Sequence, residues 1–299
     1  MDRFHLINVF VAVVDTQGFA GAARKLAISP PAVTRAVNEL EHHLGLRLLT
    51  RTTRTVRVTD AGARYAQDCR RILAELAEAD ESVSGEHGAP RGRLTVTAPM
   101  LFGGMVVTPI VTAYLQRYPE VSVSCLFLDR VVNLVDEGVD VAIRIGELPD
   151  SSLQAIRVGE VRQVICASPG YLAAHGIPLT PDDLHQHAIV SANSITPNPE
   201  WRLAHGGEPC SVRLQARMTT TTNDSAVAAV VGGFGITRLL SYQVAEHLRA
   251  GRLQTVLTEY EMAPLPVHVV HREGRQAARR VRAFIDLAVE RLRVEMAAQ

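Results

Sequence analysis

The chain has 299 residues, which fits two or three domains better than one, each with enough chain to bury its own core. Hydrophobic residues make up 47% and charged residues 21%, as in ordinary globular proteins, and no apolar run approaches the roughly 18 residues of a membrane span. Net charge is zero, and Cys69, Cys125, Cys166 and Cys210 lie too far apart for a zinc cluster, a redox pair or a disulfide framework. No cofactor or metal is expected.

The opening Met1-Asp2-Arg3-Phe4 has neither the basic segment nor the apolar core of a secretory signal, so a cytoplasmic location is expected, with no membrane partner. Charge is not spread evenly. Residues 1–59 hold Arg3, Arg24, Lys25, Arg35, Arg47, Arg51, Arg54 and Arg57 against Asp2, Asp15, Glu39 and Glu41, a clustering that points to an anionic partner. Lys25 is the only lysine in the chain; the preference for arginine reads as a coding bias.

Asp2 is placed to cap a first helix carrying Phe4, Ile7, Phe10, Val11 and Val14, which Gly18 ends. A short helix over 21–26 follows, then the turn Ala27-Ile28-Ser29. Ser29 as N-cap and Pro30-Pro31 at the first helical positions start a third helix that runs to about His43. On it Val33, Val37, Leu40 and Leu44 share one stripe, and Pro31, Thr34, Arg35 and Asn38 the opposite side. Residues 47–51 and 56–59 read as two short strands around the basic, threonine-rich turn 52–55, forming a wing.

The major groove admits one such helix, so Ser29, Pro30, Pro31, Thr34, Arg35 and Asn38 are the candidates for reading double-stranded DNA. Arg51, Thr53 and Arg54 in the wing suit phosphate or minor-groove contact. Thr59 can cap a long helix on which Tyr65, Cys69, Ile72, Leu76, Ala79 and Val83 recur at steps of four and three. Two readings fit that spacing: a coiled-coil seam, or a helix packed on its own domain. Gly85 to Gly92 then forms a hinge.

Ala22-Ala23-Arg24-Lys25-Leu26, Ser29-Pro30-Pro31-Ala32-Val33-Thr34-Arg35, Leu40-Glu41, Leu44-Gly45, Leu48-Leu49-Thr50-Arg51 and Val58-Thr59-Asp60-Ala61-Gly62 together resemble the signature of LysR-type transcriptional regulators. The resemblance implies a recognition helix near 30–42, a wing near 48–58, and a linker helix that pairs two chains into a homodimer assembling to a homotetramer. It also implies RNA polymerase as the downstream partner. Pro30 stands where many members carry a polar, base-reaching residue, and Leu49 where phenylalanine is common.

After residue 92 the pattern turns to strands alternating with helices, an α/β arrangement expected to contain largely parallel sheets. Strands are expected at 94–98, 121–128, 139–145, 162–167, 212–220, 235–239, 252–257 and 267–270, with helices at 103–118, 225–231, 241–249 and 276–295. This half resembles the family's effector-binding region, two-lobed like periplasmic solute-binding proteins. The expected division is a winged helix-turn-helix over 1–59, a linker helix and hinge over 60–92, and an effector-binding domain over 93–299. Within it, lobe 1 takes 93–162 with 268–299, and lobe 2 takes 163–267.

A small-molecule effector, a carboxylate or an aromatic compound, is expected between the lobes. Thr97, Pro99, Met100 and Leu101 sit at one strand-to-helix junction, Thr222 and Asn223 at another, and Arg144 at a strand end where it can meet a carboxylate. The alternative roles are structural: Asp224 or Ser225 as a helix cap, Thr220 to Thr222 as strand, and Arg144 as a bridge between lobes. The chain is not expected to be an enzyme. His42-His43, His185/His187 and His268/His271 have no patterned partners, and no phosphate loop or nucleophile elbow is present.

Overall fold

The carboxylate of Asp2 accepts the Phe4 N–H and starts α1 (Arg3–Asp15), whose residues Leu6, Val9, Phe10 and Val13 are buried at helical spacing. The computed structural model describes residues 2–51, 56–83, 89–148, 153–192, 200–272 and 277–297, and side chains over the same ranges except at 51, 71, 74, 75 and 77–83. The chain divides into two compact units, residues 1–87 and 88–299.

In the first unit α2 (Phe19–Leu26) begins at Phe19, ahead of the expected Gly21, and Gly18 is its N-cap. Then comes α3 (Pro30–Leu44). Ser29 has the backbone conformation of an N-cap, yet its hydroxyl makes no capping bond. Pro30 and Pro31 remove two of the N–H groups a helix start leaves unpaired, and the Ala32 and Val33 N–H groups reach the Ser29 carbonyl instead. Val33, Val37 and Leu40 are buried as their spacing requires, and Ala36 joins them where α3 lies close to its neighbours.

β1 (Leu49–Arg51) and β2 (Val56–Val58) pair antiparallel, Leu49 opposite Val58. They lead into α4 (Asp60–Val83), capped by the Thr59 hydroxyl, which accepts the Gly62 N–H at 2.9 Å. Of the two readings of this helix's apolar stripe, packing on its own domain describes the first half. Ala66 and Cys69 are buried, and Tyr65 and Leu73 pack against the same core, so the first half belongs to its own unit. Ile72 and Leu76 are 39% and 38% exposed.

The second unit opens with β3 (Gly92–Ala98). A continuous helical stretch follows: α5 (Met100–Phe102), a π turn (Gly103–Val107) and α6 (Thr108–Arg117). Next come β4 (Val121–Phe127), β5 (Val141–Ile145) and β6 (Gln154–Val161). The chain then crosses into β7 (Gln163–Ala167), α7 (Pro169–His175), a 3-10 turn (Pro181–Gln186) and β8 (Ile189–Ala192). β9 (Glu200–His205), β10 (Glu208–Arg213), β11 (Ala216–Thr220) and α8 (Asn223–Val231) continue this lobe. It ends with β12 (Ile236–Leu240), α9 (Ser241–Arg249), β13 (Gln254–Val256) and a 3-10 turn (Thr258–Tyr260). β14 (Leu265–His271) returns to the first lobe, ahead of the expected His268, and α10 (Arg279–Ala297) closes the chain.

Two five-stranded sheets result, ordered β4-β3-β5-β14-β6 and β11-β8-β12-β7-β13. Both are mixed rather than largely parallel. In each, the strand that arrives from the other lobe runs against its neighbours: β14 is antiparallel to β5 and β6, and β7 to β12 and β13. The remaining pairings, β4-β3-β5 and β11-β8-β12, are parallel.

The single strand expected over 212–220 is two strands. β10 turns away to form a separate hairpin with β9, closed by Gly206 and Gly207 at φ 60° and 88°, the positive angles that a two-residue hairpin turn demands. α6 and α10 cover one face of the first sheet, where the Tyr114 hydroxyl donates to the Arg280 carbonyl at 2.7 Å and its ring meets Phe284 edge-on.

Candidate functional site

The outward side of α3 begins at the exposed Ser29, Pro30 and Pro31 and continues through half-buried Thr34 to exposed Arg35 and Asn38. One helical turn beyond Asn38, exposed His42 extends the same face; its pairing with His43 in sequence had hidden that phase. Burying Val33, Val37 and Leu40 aims these side chains at solvent, so the polar face follows from the apolar one. Arg51 is the last residue of β1. Thr53 and Arg54 lie outside the described residues. Arg57, on β2, is exposed.

The wing joins α3 through a residue the sequence pattern had marked only as part of a motif. Glu41 Oε1 accepts the N–H groups of Leu48 at 2.8 Å and Leu49 at 2.9 Å. Behind it, α1 is tied to α4 by Arg70, whose guanidinium donates twice to Asp15 Oδ1, with Lys25 on the other carboxylate oxygen.

In the second unit a cavity of about 650 Å³ lies between the two sheets. Its wall is made by the carboxyl ends of parallel strands from both lobes, where open α/β sheets bind ligands because the strand ends and following helix starts leave a crevice. Pro99 follows β3, Leu128–Val131 follow β4, Arg144 and Ile145 end β5, and Val190–Ala192 end β8. Trp201 on β9, Asn223 at the start of α8, Arg238 on β12 and Tyr242 on α9 complete the opposite side.

Of the residues expected there, Pro99, Arg144 and Asn223 line the cavity. Thr97, Met100, Leu101 and Thr222 do not. Thr97 is 1% exposed and its hydroxyl donates to the Leu126 carbonyl at 2.6 Å, bracing neighbouring strands. The Met100 N–H is taken by Asp129 Oδ1, Leu101 packs on the lobe core, and the Thr222 hydroxyl donates to Ser225 Oγ. The sequence reading missed Arg238, Trp201 and Tyr242. No local pattern marks them, because each comes from a separate strand or helix that only folding brings to the cavity.

Of the three arginines that line the cavity, Arg144 and Arg238 are each held by a backbone carbonyl. Arg144 Nη2 donates to the Val132 carbonyl at 2.6 Å, and Arg238 Nη1 to the Arg202 carbonyl at 2.8 Å, with its guanidinium over the Trp201 ring at 5.6 Å. Burial lowers the pKa of each from the usual arginine value, because desolvation works against the charged guanidinium. Nearby, Arg130 makes a two-point ion pair with Glu137, whose carboxyl it holds below the ordinary range. Tyr242 meets Phe102 of the other lobe edge-on, ring centroids 5.0 Å apart, and burial pushes its hydroxyl up to about 12.

The two interlobe crossings are linked beside this cavity. Arg162, between β6 and β7, reaches Glu261 Oε2 at 3.1 Å, just ahead of the return into β14. Backbone and hydroxyl bonds also join Arg162 to Ser241. Burial raises the Glu261 carboxyl, and the Arg162 charge opposes that rise.

Two family models match the chain: the bacterial regulatory helix-turn-helix of the lysR family over residues 4–63, and the LysR substrate binding domain over residues 87–293. A transcriptional repressor of Pseudomonas aeruginosa (strain UCBPP-PA14) is 34% identical over 292 residues, covering 97% of this chain and 92% of its own. The full-length Vibrio cholerae virulence activator AphB superimposes with a TM-score of 0.63 at 28% identity, covering 97% of this chain and 99% of its own. The LysR-type regulator CrgA of Neisseria meningitidis gives a TM-score of 0.62 at 31% identity, with 96% and 98% covered. The chain therefore belongs to the LysR family of transcriptional regulators, as a DNA-binding, effector-responsive protein and not an enzyme.

Proposed function

We propose that Thr34, Arg35 and Asn38 read base edges in the major groove, while Arg51 and Arg54, with the exposed Arg57 of β2, meet phosphates or the minor groove. The observation that carries this reading is the continuous outward face of α3, opposite a fully buried stripe. The exposed Ile72 and Leu76 on α4 support pairing of two linker helices, which sets two recognition helices on successive half-sites. A homotetramer built from such dimers works in the cytoplasm by changing access of RNA polymerase to the promoter. Relatives named as repressor and as activator leave either outcome of binding compatible with this architecture.

The effector is a small molecule with one carboxylate and a flat apolar body. Arg144 and Arg238 supply charge for the carboxylate, and Trp201, Tyr242 and Leu128 supply the apolar wall. Thermal-shift measurements on the full chain with benzoate, salicylate and their neutral amides test this. The acids are expected to raise the midpoint and the amides to leave it unchanged, because a ligand that binds only the folded state stabilises it by mass action. Equal shifts from acids and amides would remove the charge requirement.

A further inference from the structure

We propose that Glu41 is a positioning residue for DNA binding: it sets the angle of the wing against the recognition helix by holding the peptide groups of Leu48 and Leu49. The proposal rests on α3 and the wing both meeting the duplex, and adds the part that fixes one relative to the other.

Three features converge on a single short segment. From α3, one carboxylate oxygen of Glu41 accepts two successive N–H groups, Leu48 and Leu49, and the Glu41 carbonyl accepts the Leu46 N–H. From the start of α4, the Thr59 N–H donates to the Leu48 carbonyl at 2.9 Å, and the Thr59 hydroxyl lies within hydrogen-bond distance of the Arg47 and Leu48 carbonyls. Gly62 completes the junction: a Cβ there would stand 2.1 Å from the Leu48 oxygen, so only glycine lets α4 approach this closely. The Leu48 peptide is thus gripped through its N–H side by the recognition helix and through its carbonyl by the linker helix.

The grip matters because the strand pairing of the wing is short, and the rest of its hold is the packing of Leu48, Leu49 and Val56 on the core of the unit. β1 and β2 pair over three positions, and an isolated two-stranded ribbon is marginal in water. Leu48 and Leu49 are buried at 0% and 2% exposure, so their N–H groups need a protein partner, and an ionised carboxylate is the strongest acceptor a side chain offers. Contacts from α3 and from exposed Arg57 on β2 reach the same duplex only while the root holds its angle.

The test measures binding of the full chain to a mixed-sequence duplex of about 30 base pairs across a salt series, since each phosphate contact adds about 0.9 to the slope of log K against log salt. Wild type, Glu41→Gln, Glu41→Asp and Glu41→Ala are compared, each with and without Arg57→Ala. In wild type and Glu41→Gln, which keeps an acceptor oxygen at the same reach, Arg57→Ala is expected to flatten the slope by about one contact. In Glu41→Asp, one methylene too short, and in Glu41→Ala, the same change should have no effect, and deuterium uptake at the Leu48 and Leu49 amides should rise.

Circular dichroism checks the fold, and if Glu41→Ala does not fold, Glu41→Asp against Glu41→Gln decides. An equal loss of slope from Arg57→Ala in every background overturns the proposal while leaving α3 as the DNA reader. An Arg57→Ala slope unchanged already in wild type overturns the wing contact on which the proposal rests.

Discussion

The outward face of α3, proposed to read DNA, and the interlobe cavity, proposed to hold an effector, are built in opposite ways. On α3, stability and recognition are shared out between neighbouring residues: Val33, Val37 and Leu40 point inward, Arg35 and Asn38 outward. In the cavity one side chain does both jobs. Arg238 holds the Arg202 carbonyl and stacks over Trp201 while its guanidinium faces the open space. A single helix separates the roles by phase; a crevice assembled from many segments must reuse its side chains.

Leu40→Ala tests the inward half of the helix and is expected to have the largest effect. Removing a fully buried leucine at 1% exposure should cost about 2–5 kcal/mol of stability in the first unit. Urea unfolding followed by circular dichroism checks it, and a loss below about 1 kcal/mol would show that α3 is not packed as described.

Arg238→Ala is expected to lower effector affinity and thermal stability together, the latter by about 0.5–1.5 kcal/mol, because it removes the exposed hydrogen bond to the Arg202 carbonyl and uncovers Trp201. Fluorescence of Trp201, the chain's only tryptophan, follows that transition directly. A change in affinity with no change in midpoint would break the contrast between the two regions.

Arg35→Ala should do the reverse of Leu40→Ala: about 1–3 kcal/mol lost from operator binding, with discrimination against random DNA reduced and the unfolding curve unmoved. Operator selection from genomic DNA followed by anisotropy on the selected site reads both quantities.

Two smaller effects sharpen the comparison. Ala27 ends α2 in the left-handed region at φ 53° and ψ 39°, so Ala27→Gly should stabilise the first unit by about 0.5–1 kcal/mol, once the added freedom of the unfolded glycine offsets part of the relieved strain. A midpoint that falls instead would show that Ala27 is not strained.

Glu261, beside the cavity, has a raised carboxyl. A group that binds its proton more tightly in the fold contributes stability at acid pH and loses it as pH rises from the ordinary 4.5 through the folded value. Glu261→Gln should flatten that decline, by less than about 1 kcal/mol because Arg162 is half exposed. Parallel pH profiles for wild type and variant would discount the burial of this carboxyl.

The N-terminal unit was legible because its signals are local. Asp2, Pro30-Pro31, the α3 stripe and Thr59 each act within a few residues along the chain, at spacings set by one helical turn. The order of the motif from Ala22 to Gly62 carried the family resemblance, and the matches over 4–63 and 87–293 bear it out. Ser29 shows the limit of such signals: with prolines at the next two positions, the usual donors for its hydroxyl are absent.

What only the tertiary structure decided is non-local. Strand direction depends on which lobe a strand arrives from, so β7 and β14 make both sheets mixed. Hairpin membership took β10 out of the strand expected over 212–220, and neighbouring strands claimed the Thr97 hydroxyl. Arg238, Trp201 and Glu41 gained their places through partners distant in sequence or beyond a turn, where periodicity carries no information. The sequence by itself determined which face of α3 turns to solvent, because burying one side of a helix fixes the other. The cavity and the wing root needed the fold, because their geometry exists only once separate segments meet.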